Sequence, residues 1–251
     1  MAKAVLLDLR KCMGCRACQV ACKQWNELEA EETTNRGTYE NPPDLSAKTW
    51  TVVKFREIGE NGSLKWIFSK WQCMHCIQPA CVTVCPTAAL YKTEEGPVLY
   101  DKSRCIGCAY CVAACPFSIP RFDWEEERIV RKCTMCIDRI ANGLEPACVK
   151  TCPPGALEFG EREVVIAKVN QAEAGGAYVY GKDEVGGTSW IYLSDVPFDE
   201  AGFPTVGTVS YPSHSAAIWG SQIATIAVGA VALGFYSLYL KRKKMMEGEP
   251  R

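Results

Sequence analysis

A chain of 251 residues, 48% of them hydrophobic and with a formal charge of −1, is long enough to bury one or two cores and has no polyelectrolyte bias. That balance argues against a nucleic-acid partner held by bulk charge, and the absence of a G-x-G-x-x-G run argues against a nicotinamide cofactor. Sixteen cysteines, all before Pro153, dominate what remains.

In chain order, Met1 to Arg10 holds only a short apolar run and no twin arginine, so it reads as no secretory leader, and export would depend on another chain. Residues 1–72 carry the first cysteine group, Cys12, Cys15, Cys18 and Cys22, with a hairpin insertion. The insertion begins acidic (Glu27, Glu29, Glu31, Glu32) and passes an Asn41-Pro42-Pro43 turn. It then alternates apolar residues over Thr49 to Glu57, turns at Glu60-Asn61-Gly62 and resumes over Leu64 to Phe68. Residues 73–125 form a central two-cluster ferredoxin module, with Cys73, Cys76, Cys81, Cys85 and then Cys105, Cys108, Cys111, Cys115, separated by a short strand at Val98 to Tyr100. Residues 126–160 bring Cys133, Cys136, Cys148 and Cys152 and a last strand at Ala156 to Phe159, and pack back on 1–25.

From 161 to 215 the glycine pairs 175–176 and 186–187 and the prolines 197, 204 and 212 predict an extended arm with a few short strands, lying on a partner. Residues 216–240 contain no charge and as a helix span roughly 37 Å, more than the roughly 30 Å hydrocarbon core. Trp219 at one end and Tyr236 and Tyr239 at the other suit the two interfaces. The alternative is a buried core helix. The basic tail at 241–251, with Lys241-Arg242-Lys243-Lys244, places the C-terminus in the cytoplasm and the cysteine-rich part on the periplasmic face of a bacterial inner membrane, crossed once.

Three thiolates within one turn of chain and a fourth beside a proline supply the ligands of a [4Fe-4S] cube, so four groups imply four cubes; with no catalytic residue read around them, they form a path for electrons. In two-cluster ferredoxins the fourth cysteine of each motif binds the other motif's cube. That rule predicts Cys12, Cys15, Cys18 with Cys152 (set one), Cys133, Cys136, Cys148 with Cys22 (set two), Cys73, Cys76, Cys81 with Cys115 (set three), and Cys105, Cys108, Cys111 with Cys85 (set four). Gly14 and Gly107 let the backbone approach the cluster, and Pro86, Pro116 and Pro153 fix its departure, whereas Cys22 is followed by Lys23. His75 is expected outside the ligand sphere, Lys150, Arg131 and Lys132 are candidate cations that raise potentials, and Trp25, Trp66, Trp71 and Trp124 are expected as core around the cubes. Two rivals are disulfides across the even cysteine count and structural zinc in a membrane-tethered binding module.

The runs Cys-Arg-Ala-Cys-Gln-Val-Ala-Cys at 15–22, Asp44-Leu-Ser-Ala-Lys48, Cys73-Met-His-Cys76 and Glu145-Pro-Ala-Cys-Val-Lys-Thr-Cys-Pro153 resemble the beta, iron–sulfur subunits of membrane-bound respiratory formate dehydrogenases of the nitrate-inducible type. The resemblance implies an alpha subunit with a molybdenum or tungsten bis-pterin, a gamma subunit with b haems that reduces quinone, and electron transfer between them through this chain. The same kind of module also serves membrane hydrogenases and polysulfide or thiosulfate reductases. The expected fold is α+β, with two ferredoxin-like two-cluster modules related by a pseudo-two-fold axis and one C-terminal transmembrane helix.

Overall fold

Each cysteine group hands the chain to the next through an antiparallel ribbon, and that repeat organises the molecule. The computed structural model describes residues 2–60, 63–124, 127–213, 231, 233–238 and 240. Strand β1 (Lys3–Asp8) leads to helix α1 (Ala17–Trp25), and the ribbon β2 (Val52–Glu60) and β3 (Ser63–Trp71) follows, in register with Glu60 opposite Ser63. Helix α2 (Ala80–Thr83) leads to the ribbon β4 (Leu90–Lys92) and β5 (Val98–Tyr100). Helix α3 (Tyr110–Ala114) leads to the ribbon β6 (Arg121–Phe122) and β7 (Val130–Arg131). Helices α4 (Ile137–Ala141) and α5 (Ala147–Lys150) carry the last group, and β8 (Leu157–Glu161) leaves it. The hairpin and the strand at 98–100 lie where their alternation and turn residues predict.

The segment after β8 is not an extended arm. It forms helix α6 (Arg162–Ala174), β9 (Tyr178–Tyr180) and β10 (Trp190–Ser194), and these complete a four-stranded sheet of order β8-β1-β10-β9. β10 pairs with β1 in parallel, Val5 opposite Trp190, and β8 pairs with β1 antiparallel, Val5 opposite Phe159. The reason is in the side chains. Trp190 to Leu193 is a continuous apolar run because the strand is buried on both faces, a pattern without alternation that glycine-rich flanks disguise as loop. Helix α6 is rich in β-branched residues (Val164, Val165, Ile166, Val169), which weakens its helical signature.

Period-two alternation gives the sheet two different faces. Ala4, Leu6, Ile191 and Leu193 pack under Val165 and Val169 of α6. Val5, Leu7, Trp190 and Tyr192 enter the main core, which also holds Cys22, Cys73, Cys133 and Cys148. Each such buried side chain contributes about 1.5–3 kcal/mol. Phe203 packs edge-on against Tyr180 and Tyr192, both at 5.0 Å, and against Phe198 at 4.9 Å, so the chain after β10 closes the core instead of leaving it.

Met1–Ser210 is one compact unit and Tyr211–Arg251 a second. Most of the span expected at 216–240, and the whole tail at 241–251, lies outside the described residues. Among the described residues no helix is long and apolar enough to cross a membrane.

Candidate metal centres

The residue before the second cysteine has a positive φ in all four groups: Gly14 (66°), His75 (50°), Gly107 (70°) and Met135 (56°). Reversing the backbone hand at this point turns successive N–H groups to the same side as the thiols, forming the concavity that holds an anion. Arg16 (61°), Ala109 (57°) and Cys136 (52°) repeat the reversal at the N-caps of α1, α3 and α4. A Cβ on Gly107 would meet the Arg128 carbonyl oxygen at 2.8 Å, and one on Gly14 the Phe68 ring at 2.9 Å. The two glycines are legible in sequence. His75 and Met135 hold the same conformation as side-chain-bearing residues, at a cost of about 1–3 kcal/mol each.

Proline decides where the short helices stop. It disfavours helical backbone in the residue before it, so α2, α3 and α5 end ahead of Cys85-Pro86, Cys115-Pro116 and Cys152-Pro153. Cys22 has Lys23 in that place, and α1 continues to Trp25. Cys18 and Cys22 therefore lie on one helical face, four residues apart. Lys23 donates to the carbonyl oxygens of Glu29 (2.6 Å) and Lys48 (3.0 Å), tying the acidic insertion to this helix.

The structure brings cysteines from different groups together. One cavity is lined by Cys85, Cys105, Cys108 and Cys111, with Gly107, Phe122 and Val130 around them. A second is lined by Cys22, Cys133, Cys136 and Cys148, with Trp50, Met135 and Trp190. Burial, then the thiols of Cys73, Cys115 and Cys81, push the Cys76 thiol far up. Cys12 is raised first by burial and then by Cys152 and Cys15. Electrostatic influence also runs between the four-cysteine sets, from Cys148 on Cys18, from Cys73 on Cys133 and from Cys111 on Cys81. These influences link neighbouring sets in the order one, two, three, four.

Burial and crowding push Cys18, Cys81 and Cys136 up to about 12 and Cys111 up to about 11. Such thiols ionise at neutral pH only with a cation beside them, which is what a coordinated metal supplies. All sixteen are free thiols, so no disulfide uses them. Among the described residues no three His, Cys, Asp or Glu side chains are grouped to hold a single ion. One zinc would draw four sulfurs to about 2.3 Å from a common point. Four sulfurs around a cavity, as in sets two and four, are the donor chemistry of a [4Fe-4S] cluster.

Buried donors around these cavities fit the same guest. Trp190 is fully buried, and its indole Nε1–H has no partner among the described residues while its ring lines the set-two cavity. His75 is fully buried inside the set-three loop. Its Nδ1 accepts the Val98 N–H at 2.8 Å, which leaves the proton on an unpartnered Nε2, and burial with Lys132, Lys92 and Lys70 nearby holds it neutral. Lys132 is buried, donates to the Val98 and Cys133 carbonyl oxygens, and faces Cys81 and Cys115. Lys92 is lowered to about 8 by burial, against the pull of Cys76 and Cys73.

Of the cations read from sequence, Lys132 lies at the cysteines. Lys150 is exposed, and Arg131 pairs with Glu127. Lys70 and Lys92 were not legible, because a lysine in a strand ordinarily faces solvent. The tryptophans also differ from expectation. Trp25 (43% exposed), Trp66 (37%) and Trp124 (74%) face outward and Trp71 packs on Phe203, while Trp50 and Trp190 are the buried pair.

Two family models, each described as a 4Fe-4S dicluster domain, match residues 11–89 and 64–162, and between them include every cysteine. The chain is 42% identical over 246 residues to the nitrate-inducible formate dehydrogenase iron-sulfur subunit of Escherichia coli (strain K12), an alignment covering 94% of this chain and 82% of that one. It is 39% identical over 252 residues to the formate dehydrogenase iron-sulfur subunit of Haemophilus influenzae, covering 94% and 80%. It is 44% identical over 176 residues to the formate dehydrogenase 2 subunit beta (cytochrome c-553) of Nitratidesulfovibrio vulgaris, covering 66% and 80%.

Proposed function

The chain belongs to the family of formate dehydrogenase iron–sulfur subunits, and from that premise we propose that sets one to four each hold one cube, in the cysteine combinations given above, as a relay between a pterin-bearing alpha subunit and a cytochrome b gamma subunit. It is an electron-transfer subunit with four [4Fe-4S] clusters and no catalytic residue of its own. A bound cube supplies one-electron exchange. The protein supplies spacing, dryness and compensating charge.

The observation that carries this reading is the order of the sets together with their exposure. Cys15 in set one and Cys108 in set four are exposed, whereas all four cysteines of set two are buried. Apolar side chains stand out beside both ends: Met13 (58% exposed) and Val20 (62%) near Cys15, Ile106 (67%) and Tyr110 (62%) near Cys108. Exposed apolar rims of this kind mark protein contacts. Electrons enter at one rim and leave at the other, and the enclosed middle prevents their loss to solvent oxidants. The exchange of a fourth cysteine between sets one and two repeats between sets three and four, which supports two modules related by a pseudo-two-fold axis.

The uncharged stretch 216–240 followed by the basic tail supports a single membrane crossing, with the cluster domain periplasmic and the C-terminus cytoplasmic. Formate as the electron source separates this reading from the hydrogenase and polysulfide or thiosulfate reductase alternatives. Formate added anaerobically to the purified complex is expected to bleach the iron–sulfur absorbance and, with a quinone present, to reduce it. Bleaching by hydrogen with none by formate would assign the chain to another complex.

A further inference from the structure

Lys70, in β3, is buried to 1% exposure, and its partners are unusual. Its Nζ donates to Gln72 Oε1 at 2.9 Å and to Thr51 Oγ1 at 3.3 Å, and sits 4.2 Å from the centre of the Trp190 ring. Gln72 is held in turn by its own donation to the Tyr192 hydroxyl at 2.7 Å, and that hydroxyl donates to the Lys70 carbonyl oxygen at 3.1 Å. The ammonium is therefore fixed in place by a closed ring of buried residues. Among the described residues no carboxylate forms an ion pair with it, and the groups that most favour its charge are Cys148, Cys133, Cys18 and Cys22, three thiols of set two and one of set one. A buried ammonium lacking a counter-ion is strongly disfavoured, so its place in the core requires negative charge nearby. Two all-thiolate cubes, each carrying about −2, supply it.

We propose that Lys70 is a shared cation for the clusters of sets one and two, a positioning residue that favours their reduced forms. The inference rests on the ligand sets proposed above. Each arriving electron adds one negative charge to a cluster, and the fixed ammonium stabilises that charge without giving up a proton. Three of its four thiol neighbours belong to set two, so that cluster feels the larger effect. Lys132 and Lys92 stand beside set three, and set four lies at the far end of the series.

The test is redox titration of the whole complex by EPR, with signals assigned through cysteine replacements. Lys70→Met is expected to lower the reduction equilibrium constant of the set-two cluster at least tenfold, about 59 mV for one electron, with a smaller fall at set one and no change at sets three and four. Lys70→Arg, which keeps the charge, is expected to stay near the parent values. Unchanged potentials, or one equal shift at all four clusters, would overturn the proposal. If Lys70→Met loses iron, Lys70→Arg must restore the iron content and Lys70→Gln must not; loss in all three also overturns it. Failure of the underlying ligand reading shows separately, as a shortfall of iron in the unsubstituted complex.

Discussion

Replacing Cys115 by serine is expected to remove the cluster bound by Cys73, Cys76 and Cys81 while leaving the one bound by Cys105, Cys108 and Cys111, although Cys115 belongs to the latter's sequence motif. Helix α3 ends at Ala114, and Pro116 holds Cys115 in extended backbone (φ −77°, ψ 116°), which carries its thiol away from the turn it follows. Burial and then Cys73, among the thiols, raise Cys115, while Cys76 and Cys81 both feel Cys115 as a like neighbour. Cys111 feels Cys105, Cys108 and Cys85 instead. The substitution should therefore remove about four irons, one cube's content, and interrupt the relay at its third station, abolishing formate-driven quinone reduction. EPR on the dithionite-reduced variant checks it. Loss of the other cluster's signal, with this one intact, would mean that each motif binds its own cube.

Trp190→Ala carries the second large effect. Trp190 sits in β10 between β1 and β9, has no exposed surface, lies beneath the Lys70 ammonium and lines the set-two cavity. Truncating a fully buried tryptophan costs about 3–5 kcal/mol through lost transfer energy and the void left behind. Here the void opens onto the cluster and removes the ring over which Lys70 is placed. A thermal midpoint well below that of the parent protein, together with loss of the set-two cluster, is the expected outcome in thermal melts monitored by iron–sulfur absorbance. Trp190→Phe keeps most of the volume and removes the unpartnered N–H, so its fold should survive while the potential of that cluster falls. A Trp190→Ala protein with parent-like melting and full iron would contradict this assignment.

Local chemistry was legible in sequence, and long-range burial was not. The four cysteine groups, the Cys-Pro exits, the hairpin and the strand at 98–100 all follow from spacing over a few residues, and the structure shows each of them, whereas the continuation of α1 past Cys22 is seen only in the structure. The arm expected at 161–215 folds instead, over its part up to Ser210, into α6, β9 and β10, because the strand partner of β10, β1, lies at the other end of the sequence, and a doubly buried strand lacks the alternation that marks an exposed one. The left-handed backbone at His75 and Met135 was hidden because their side chains give no sign of it, although Gly14 and Gly107 occupy the equivalent positions. Lys70 was hidden for the opposite reason. Its residue type points to solvent, and only the gathering of Cys18, Cys22, Cys133 and Cys148 around it explains why it stays inside.

The central claim is that these cysteines hold cubes arranged in series. Iron and acid-labile sulfide, counted on protein purified without oxygen, test it most directly. The expected result is about sixteen of each per chain, four cubes of four irons and four sulfides. About one zinc per four cysteines, with neither iron nor sulfide, would contradict it.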